Sequence, residues 1–139
     1  MPKETVAELI TLLVDRFPYI VVLLNATPAD FQKAEQLRRK FSDRVYVIQY
    51  SPEVLNFCAL VKLCNVVISP DTAIVHIAET FDIPVVGLYK NSREHCDEWG
   101  VHHQKSVIIM SDDDKEITSI SAQKVFEAFV ELNEYYQIV

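Results

Sequence analysis

Asn65-Val66-Val67-Ile68-Ser69-Pro70-Asp71-Thr72-Ala73-Ile74-Val75-His76-Ile77-Ala78 is the stretch that decides the fold. A β-branched run passes through a proline turn into residues with helical apolar spacing, which predicts strand, turn and helix. Asp82-Ile83-Pro84 then breaks the helix, and Val85-Val86-Gly87-Leu88-Tyr89 forms a second β-rich run. Strand, helix and strand in such close succession make the repeating unit of a parallel sheet.

The same alternation extends to both ends of the chain. Val6, Leu9, Ile10, Leu13, Val14 and Phe17 keep helical spacing up to Pro18. Tyr19 to Leu24 is a continuous apolar run of the kind buried on both faces of a parallel sheet. Thr27 is placed to cap a helix with Pro28 in its first turn and Phe31, Ala34, Leu37 and Phe41 on one side. Arg44 to Ile48 reads as a strand, and Ser51-Pro52-Glu53 opens an apolar helix through Leu63. Asn65 to Ser69 is the third strand, and Asp71 caps a helix reaching about Thr80. Beyond the fourth strand, Lys90 to Lys105 is polar and irregular, and Ser106 to Met110 is a fifth strand. Ser111 to Glu116 is an acidic loop. Ser119 or Ser121 caps a last helix carrying Val125, Phe126, Phe129, Val130 and Leu132. The expected order αβαβαβαββα is an α/β fold, a parallel sheet with helices on both faces, in one domain over residues 1–139.

Charge and composition exclude several function classes. Thirteen Lys and Arg against twenty Asp and Glu leave a net charge of −7, the wrong sign for neutralising a nucleic-acid backbone. The densest basic run, Arg38-Arg39-Lys40, is flanked by Glu35 and Asp43 and reads as a solvated helix face. No apolar stretch approaches the ~18–20 residues that span a bilayer, and the N-terminus lacks a signal-peptide pattern. Cys58, Cys64 and Cys96 form no pairing framework and fit a reducing compartment, so a cytoplasmic location is expected. Only Gly87 and Gly100 occur, which rules out the glycine-rich dinucleotide turn and the P-loop. A phosphate site in this chain needs another device.

In parallel sheets ligands sit beyond the carboxyl ends of the strands, which nominates loops 25–28, 49–52, 69–73, 90–105 and 111–118. The 69–73 loop is the strongest of these. Its helix starts with backbone N–H groups that lack intrahelical partners and carry the positive end of the helix dipole. Together they attract an anion without a basic side chain. Thr72 adds a hydroxyl, and Ala73 is small enough to let a diphosphate approach. Asp71 either caps the helix or accepts from a sugar hydroxyl. His76, one turn on, either contacts the ligand or packs against its neighbours, as half-buried histidines commonly do. Lys90-Asn91-Ser92-Arg93 brings cations and polar groups to the same edge, either as neutralising partners for a diphosphate in place of a metal or as a solvated loop. His95, Cys96, Asp97, Glu98, His102 and His103 match none of the usual zinc spacings, so no metal is expected. Trp99-Gly100 reads as an anchor for that loop. A nucleophile elbow is absent, and so are the paired acidic residues a phosphoacceptor domain carries after its first strand.

The run from Asn65 to Ala78, with Ile83 to Tyr89 after it, resembles the donor-side signature of the heptosyltransferase family, glycosyltransferase family 9. That signature reads approximately D-[ST]-G-x-x-H-[LI]-A, then P-x-[VI]-x-[LV]-[YF]-G. Asp71, Thr72, His76, Ile77, Ala78, Pro84 and Tyr89 fall on matching positions. The opening Pro2-Lys3-Glu4 to Ile10 and the closing Ile120 to Phe126 resemble the first and last helices of the family's second domain. Two departures stand out: Ala73 replaces the usual glycine, and Lys90-Asn91-Ser92 replaces a tight glycine-proline turn.

The resemblance implies a Rossmann-like domain, the C-terminal half of a GT-B glycosyltransferase, that binds a nucleotide-diphosphate sugar, typically ADP-heptose, for lipopolysaccharide core synthesis. It implies that N–H groups around Thr72 and Ala73 hold the diphosphate, with Asp71 and His76 near the donor and Lys90, Asn91 and Ser92 beside it. Asp30 falls about where the family carries an acidic residue for the ribose. No cofactor is implied. The acceptor domain, with its catalytic base, is expected to lie outside this sequence, which leaves no catalytic residue here. A partner domain or chain, or a homo-oligomer, would then cover the first helix and the 90–105 loop. With that partner the lipopolysaccharide core is the acceptor, and the location is cytoplasmic or peripheral to the inner membrane. The alternative is a non-catalytic module that binds a nucleotide or a protein.

Overall fold

The computed structural model describes residues 1–41, 43–49, 51–92, 100–101 and 104–139. Helix α1 (Lys3–Arg16) leads into β1 (Val22–Asn25), α2 (Phe31–Arg38) and β2 (Val45–Ile48). Then come α3 (Val54–Lys62), β3 (Val67–Pro70), α4 (Ala73–Thr80) and β4 (Val85–Tyr89). Last are β5 (Ser106–Met110) and α5 (Ala122–Tyr136). Every strand pair is parallel, so the α/β reading holds.

Period-two alternation divides the strands between two faces. On the first face Val66, Ile68, Val86, Leu88, Val107 and Ile109 meet the buried sides of α1, α2 and α5 in the main core. Leu9, Ile10, Leu13 and Val14 supply the stripe from α1, and burying such residues stabilises by roughly 1.5–3 kcal/mol each. Phe17 stands edge-on to Phe129 at 5.3 Å between ring centroids. On the second face Val67, Val85 and Tyr89 meet Val61 of α3 and Val75 and Ala78 of α4.

Local chemistry sets the helix ends. The Arg44 guanidinium donates to the Val14 carbonyl at 2.8 Å, satisfying an orphan acceptor in the last turn of α1. Asp82 takes the left-handed conformation with φ 59°, and Ile83 N–H reaches back to the Ala78 carbonyl at 3.0 Å, closing α4. Ser121 caps α5 by accepting from the Lys124 N–H at 3.2 Å.

Several expectations are corrected. The single sheet is two sheets among the described residues, β1–β2 and β3–β4–β5, because no ladder joins β1 to β3. Strand β1 begins at Val22 and is not buried on both faces: Tyr19 is 95% exposed, Val21 56% and Leu23 40%, since only its first face is covered. Helix α2 starts at Phe31, because Thr27 to Asp30 form a turn in which the Asp30 N–H donates to the Thr27 carbonyl. Helix α3 starts at Val54, with Ser51 two residues ahead of Glu53, the N-cap residue. The Ser51 hydroxyl still accepts from the Glu53 N–H at 3.3 Å. Helix α1 turns its apolar stripe, Leu9, Ile10, Leu13 and Val14, inward, and α5 packs against the helix. Exposed apolar residues include Val21 just ahead of β1, Leu23 and Tyr46 on the strands, and Val54 and Leu55 on α3.

Phe129→Ala removes a fully buried ring and is expected to cost about 3–5 kcal/mol in urea unfolding. Val21→Ala, at a largely exposed position, should stay within about 0.5 kcal/mol.

Candidate functional site

Strand β3 ends in Ser69 and Pro70, and the chain turns through Asp71 and Thr72 into α4. Pro70 closes the strand, where its missing N–H costs no ladder bond on an open edge. The Asp71 N–H donates to the Leu88 carbonyl at 3.1 Å, which pins the turn to the end of β4. The residue at the N-cap of α4 is Thr72, in extended conformation, and not Asp71. No side-chain cap bond forms there. The Thr72 hydroxyl lies 3.3 Å from that of Ser69, a buried residue whose hydroxyl also donates to the Pro70 carbonyl at 2.9 Å. Thr72 and Ala73 are exposed at the positive end of the α4 dipole, and the Val75 N–H donates to the Thr72 carbonyl at 3.1 Å.

His76 is exposed as well, with Nδ1 3.3 Å from a Glu79 carboxylate oxygen, so the packed alternative for this histidine does not hold. Lys90 and Asn91 leave the end of β4 at the surface, and the Asn91 N–H donates to the Asp113 carbonyl at 2.9 Å. That bond ties the 90–92 loop to the acidic loop. Ser111, 3% exposed, organises the acidic loop: its N–H donates to the Tyr89 carbonyl, and its hydroxyl contacts that of Ser119 at 2.9 Å. Tyr89 is buried because Gly87 leaves room: a methyl group on Gly87 would lie 2.6 Å from the tyrosine ring. The ends of β3, β4 and β5 thus form one shelf.

A cleft of about 490 Å³ adjoins this shelf. Asn25, Ala26 and Thr27 after β1 and Ile48 and Gln49 at the end of β2 line one side of it. Phe57 and Leu60 of α3 form another wall, and Ala73, Ile74 and Ile77 of α4 a third. The cleft takes lining from the carboxyl ends of β1 and β2, and ligands of open α/β sheets bind beyond the carboxyl ends of the strands. Of the residues expected at the site, Ala73 lines the cleft, while Asp71 and Thr72 follow β3, Lys90, Asn91 and Ser92 follow β4, and His76 lies one turn into α4. Asp30 is drawn into local contacts: Lys33 Nζ lies 2.9 Å from one carboxylate oxygen, and the Thr27 hydroxyl donates to the other at 3.0 Å. Lys33 first, and then Thr27, hold that carboxyl below the ordinary range.

Arg93, His95, Cys96, Asp97, Glu98, Trp99, His102 and His103 lie outside the described residues. Among the described residues no group of three acidic, histidine or cysteine side chains is placed to hold a metal ion. No described helix is long and apolar enough to cross a membrane. The sequence reading nominated the loops that begin at Ser69 and Ser111 but gave neither serine a role. A serine closing a β-branched run was the available signal for each, since period two turns it inward.

The two helix caps should respond differently to truncation. Ser121→Ala removes a formed cap and is expected to cost about 1 kcal/mol. Thr72→Ala removes a hydroxyl that caps nothing and should cost less than about 0.5 kcal/mol in the same unfolding measurement.

The family model for glycosyltransferase family 9 (heptosyltransferase) matches residues 1–129. A protein of Escherichia coli K12 named "Putative lipopolysaccharide heptosyltransferase 4" is 41% identical over 63 residues, 42% of this chain and 18% of that protein. The fold superposes on E. coli heptosyltransferase WaaC with ADP at a TM-score of 0.79 and 22% identity, covering 94% of this chain and 39% of the other. The same enzyme with ADP-2-deoxy-2-fluoro heptose gives 0.74 and 22% identity over 95% and 38%. This chain therefore spans about two fifths of the solved relatives, whose likeness at this identity concerns the fold. With the family model covering nearly its full length, the chain belongs to glycosyltransferase family 9, the heptosyltransferases.

Proposed function

We propose that these 139 residues bind the donor of a heptosyltransferase-like reaction, a nucleotide-diphosphate sugar such as ADP-heptose. The observation that carries this reading is the open N-terminus of α4: Thr72 and Ala73 are exposed at the carboxyl end of β3, beside the cleft. Such an end presents N–H donors and a positive dipole to a diphosphate, which suits a chain with a net charge of −7 and no clustered basic surface. Lys90, exposed at the end of the neighbouring strand, adds a cation in place of a metal ion. One relative described above, E. coli heptosyltransferase WaaC, is solved with ADP and with ADP-2-deoxy-2-fluoro heptose, which supports an adenine nucleotide.

In this reading an acceptor hydroxyl, deprotonated by a base outside these residues, attacks the anomeric carbon of the donor. The bond from that carbon to the diphosphate oxygen breaks, and the departing charge is stabilised by the α4 N–H groups and Lys90. Asp71 serves the sugar, since a carboxylate aimed at phosphate would repel it. A partner domain or chain supplies the base and holds the lipopolysaccharide core acceptor.

Thermal-shift titration with ADP, UDP, GDP and their sugars tests the reading. At ~100 times the dissociation constant a ligand adds about 2.7 kcal/mol of stability. ADP and ADP-heptose should raise the melting temperature, and Thr72→Ala should weaken both by about tenfold, the worth of a hydrogen bond to a charged group. Asp71→Ala should weaken ADP-heptose more than ADP. Absence of a shift with every nucleotide would refute donor binding. Sugar transfer by the purified chain alone would refute the assignment of the base to a partner.

A further inference from the structure

Hydrogen bonds already formed in the wall of the cleft fix what that wall offers a ligand. Thr27 lines the cleft, and its hydroxyl donates to one Asp30 carboxylate oxygen at 3.0 Å. A hydroxyl has one hydrogen, and an ionised carboxylate only accepts, so chemistry settles the direction of that bond. Lys33 Nζ, 2.9 Å from the other carboxylate oxygen, keeps Asp30 in place. The Asp30 N–H donates to the Thr27 carbonyl at 3.0 Å and fastens the same residue a second time. The Thr27 hydroxyl keeps only lone pairs for a ligand.

Asn56 of α3, also in the lining, repeats the arrangement. Its amide nitrogen donates to the Glu53 carboxylate at 3.1 Å and to the Ser51 hydroxyl at 3.2 Å, which occupies both of its hydrogens. A carboxylate only accepts, so the amide cannot be turned round, and its carbonyl oxygen is the group left for a ligand. Ser51 also accepts from the Glu53 N–H and retains its own hydrogen. Neither Asp30 nor Glu53 lines the cleft. Two carboxylates outside the lining thus turn two exposed lining side chains into acceptors.

We infer that Thr27 and Asn56 set the nucleoside specificity of the cleft by accepting hydrogen bonds from it, the group read being a ribose hydroxyl or an exocyclic amine. The inference rests on the donor-binding reading above. With the diphosphate at the N-terminus of α4, the nucleoside extends into the adjoining cleft, where Phe57, Leu60, Ile74 and Ile77 give it apolar walls. Phosphate oxygens only accept and find no partner in either locked side chain, so the ligand has one orientation. Asp30 and Glu53 are positioning residues that act through the side chains they hold. Asp30, expected beside the ribose, stands one hydrogen bond further back. An analogue lacking the hydrogen-donating group covers these acceptors without pairing them, which lowers its affinity.

Titration calorimetry of the 139-residue chain compares ADP with inosine diphosphate, which lacks the amine, and with the 2′-deoxy and 3′-deoxy forms of ADP. All four carry the same diphosphate, so their affinity ratios are insensitive to the net charge of a variant. ADP should bind about tenfold more tightly than at least one analogue, and the analogue that loses identifies the group read. Thr27→Val or Asn56→Leu should bring that preference below about threefold, and Thr27→Ser, which keeps the hydroxyl, should retain it. Asp30→Ala or Glu53→Ala, which frees the hydrogens, should relax the preference in the same way. ADP binding with all three ratios within about twofold would overturn the inference and leave donor binding standing. A preference unchanged in both Thr27→Val and Asn56→Leu would overturn it too. No binding of ADP by the unsubstituted chain would refute donor binding itself, and this inference with it.

Discussion

Parallel strands cannot be joined by a hairpin, so each must be followed by a crossover that climbs one face of the sheet and returns to the same edge. This constraint places every strand in the same direction and collects all the strand-to-helix loops at one end. Residues far apart in the chain, such as Asn25, Thr72, Lys90 and Ser111, therefore surround one edge. Helix α2 packs in one core cluster and α3 and α4 in the other, and the cleft takes its lining from the ends of β1 and β2 and from α3 and α4.

The donor site that follows from this geometry uses backbone in place of side-chain charge. The chain carries seven more acidic than basic residues and two glycines, so neither a basic pocket nor a glycine-rich cradle is at hand. A helix N-terminus supplies a partial positive charge irrespective of composition. Its orientation is held from behind. Ser69 sits against Thr72, the Asp71 N–H is bound to Leu88, and Tyr89 fills the space that Gly87 leaves open. The turn is rigid on its buried side and open on its solvent side, as a preorganised anion site requires.

Much of this was legible because it is local. Val85–Tyr89 and Ser106–Met110 are strands over the residues expected, since each is an apolar run bounded by polar or proline-containing turns. The helix starts were less legible. Thr27, Ser51 and Asp71 all have the chemistry of caps, yet none occupies the N-cap position. Each lies in a turn containing proline just ahead of its helix, and such turns offer the same side chains other backbone partners, as Ser51 finds in the Glu53 N–H. His76 shows the same limit for packing: its place on an apolar helix left burial open, and the helix turned it outward.

The sequence by itself determined the kinds of element, their parallel order, the family signature around Asp71 to Ala78, and the need for a phosphate device without glycine. These rest on residue spacing and composition, which act over a few turns of chain. Only the tertiary structure decided that Val21 and Leu23 are exposed, that α5 packs over the apolar stripe of α1, and that no ladder joins β1 to β3 among the described residues. Strand pairing is a contact between distant segments, and whether an apolar run is covered on one face or two depends on what stands beside it.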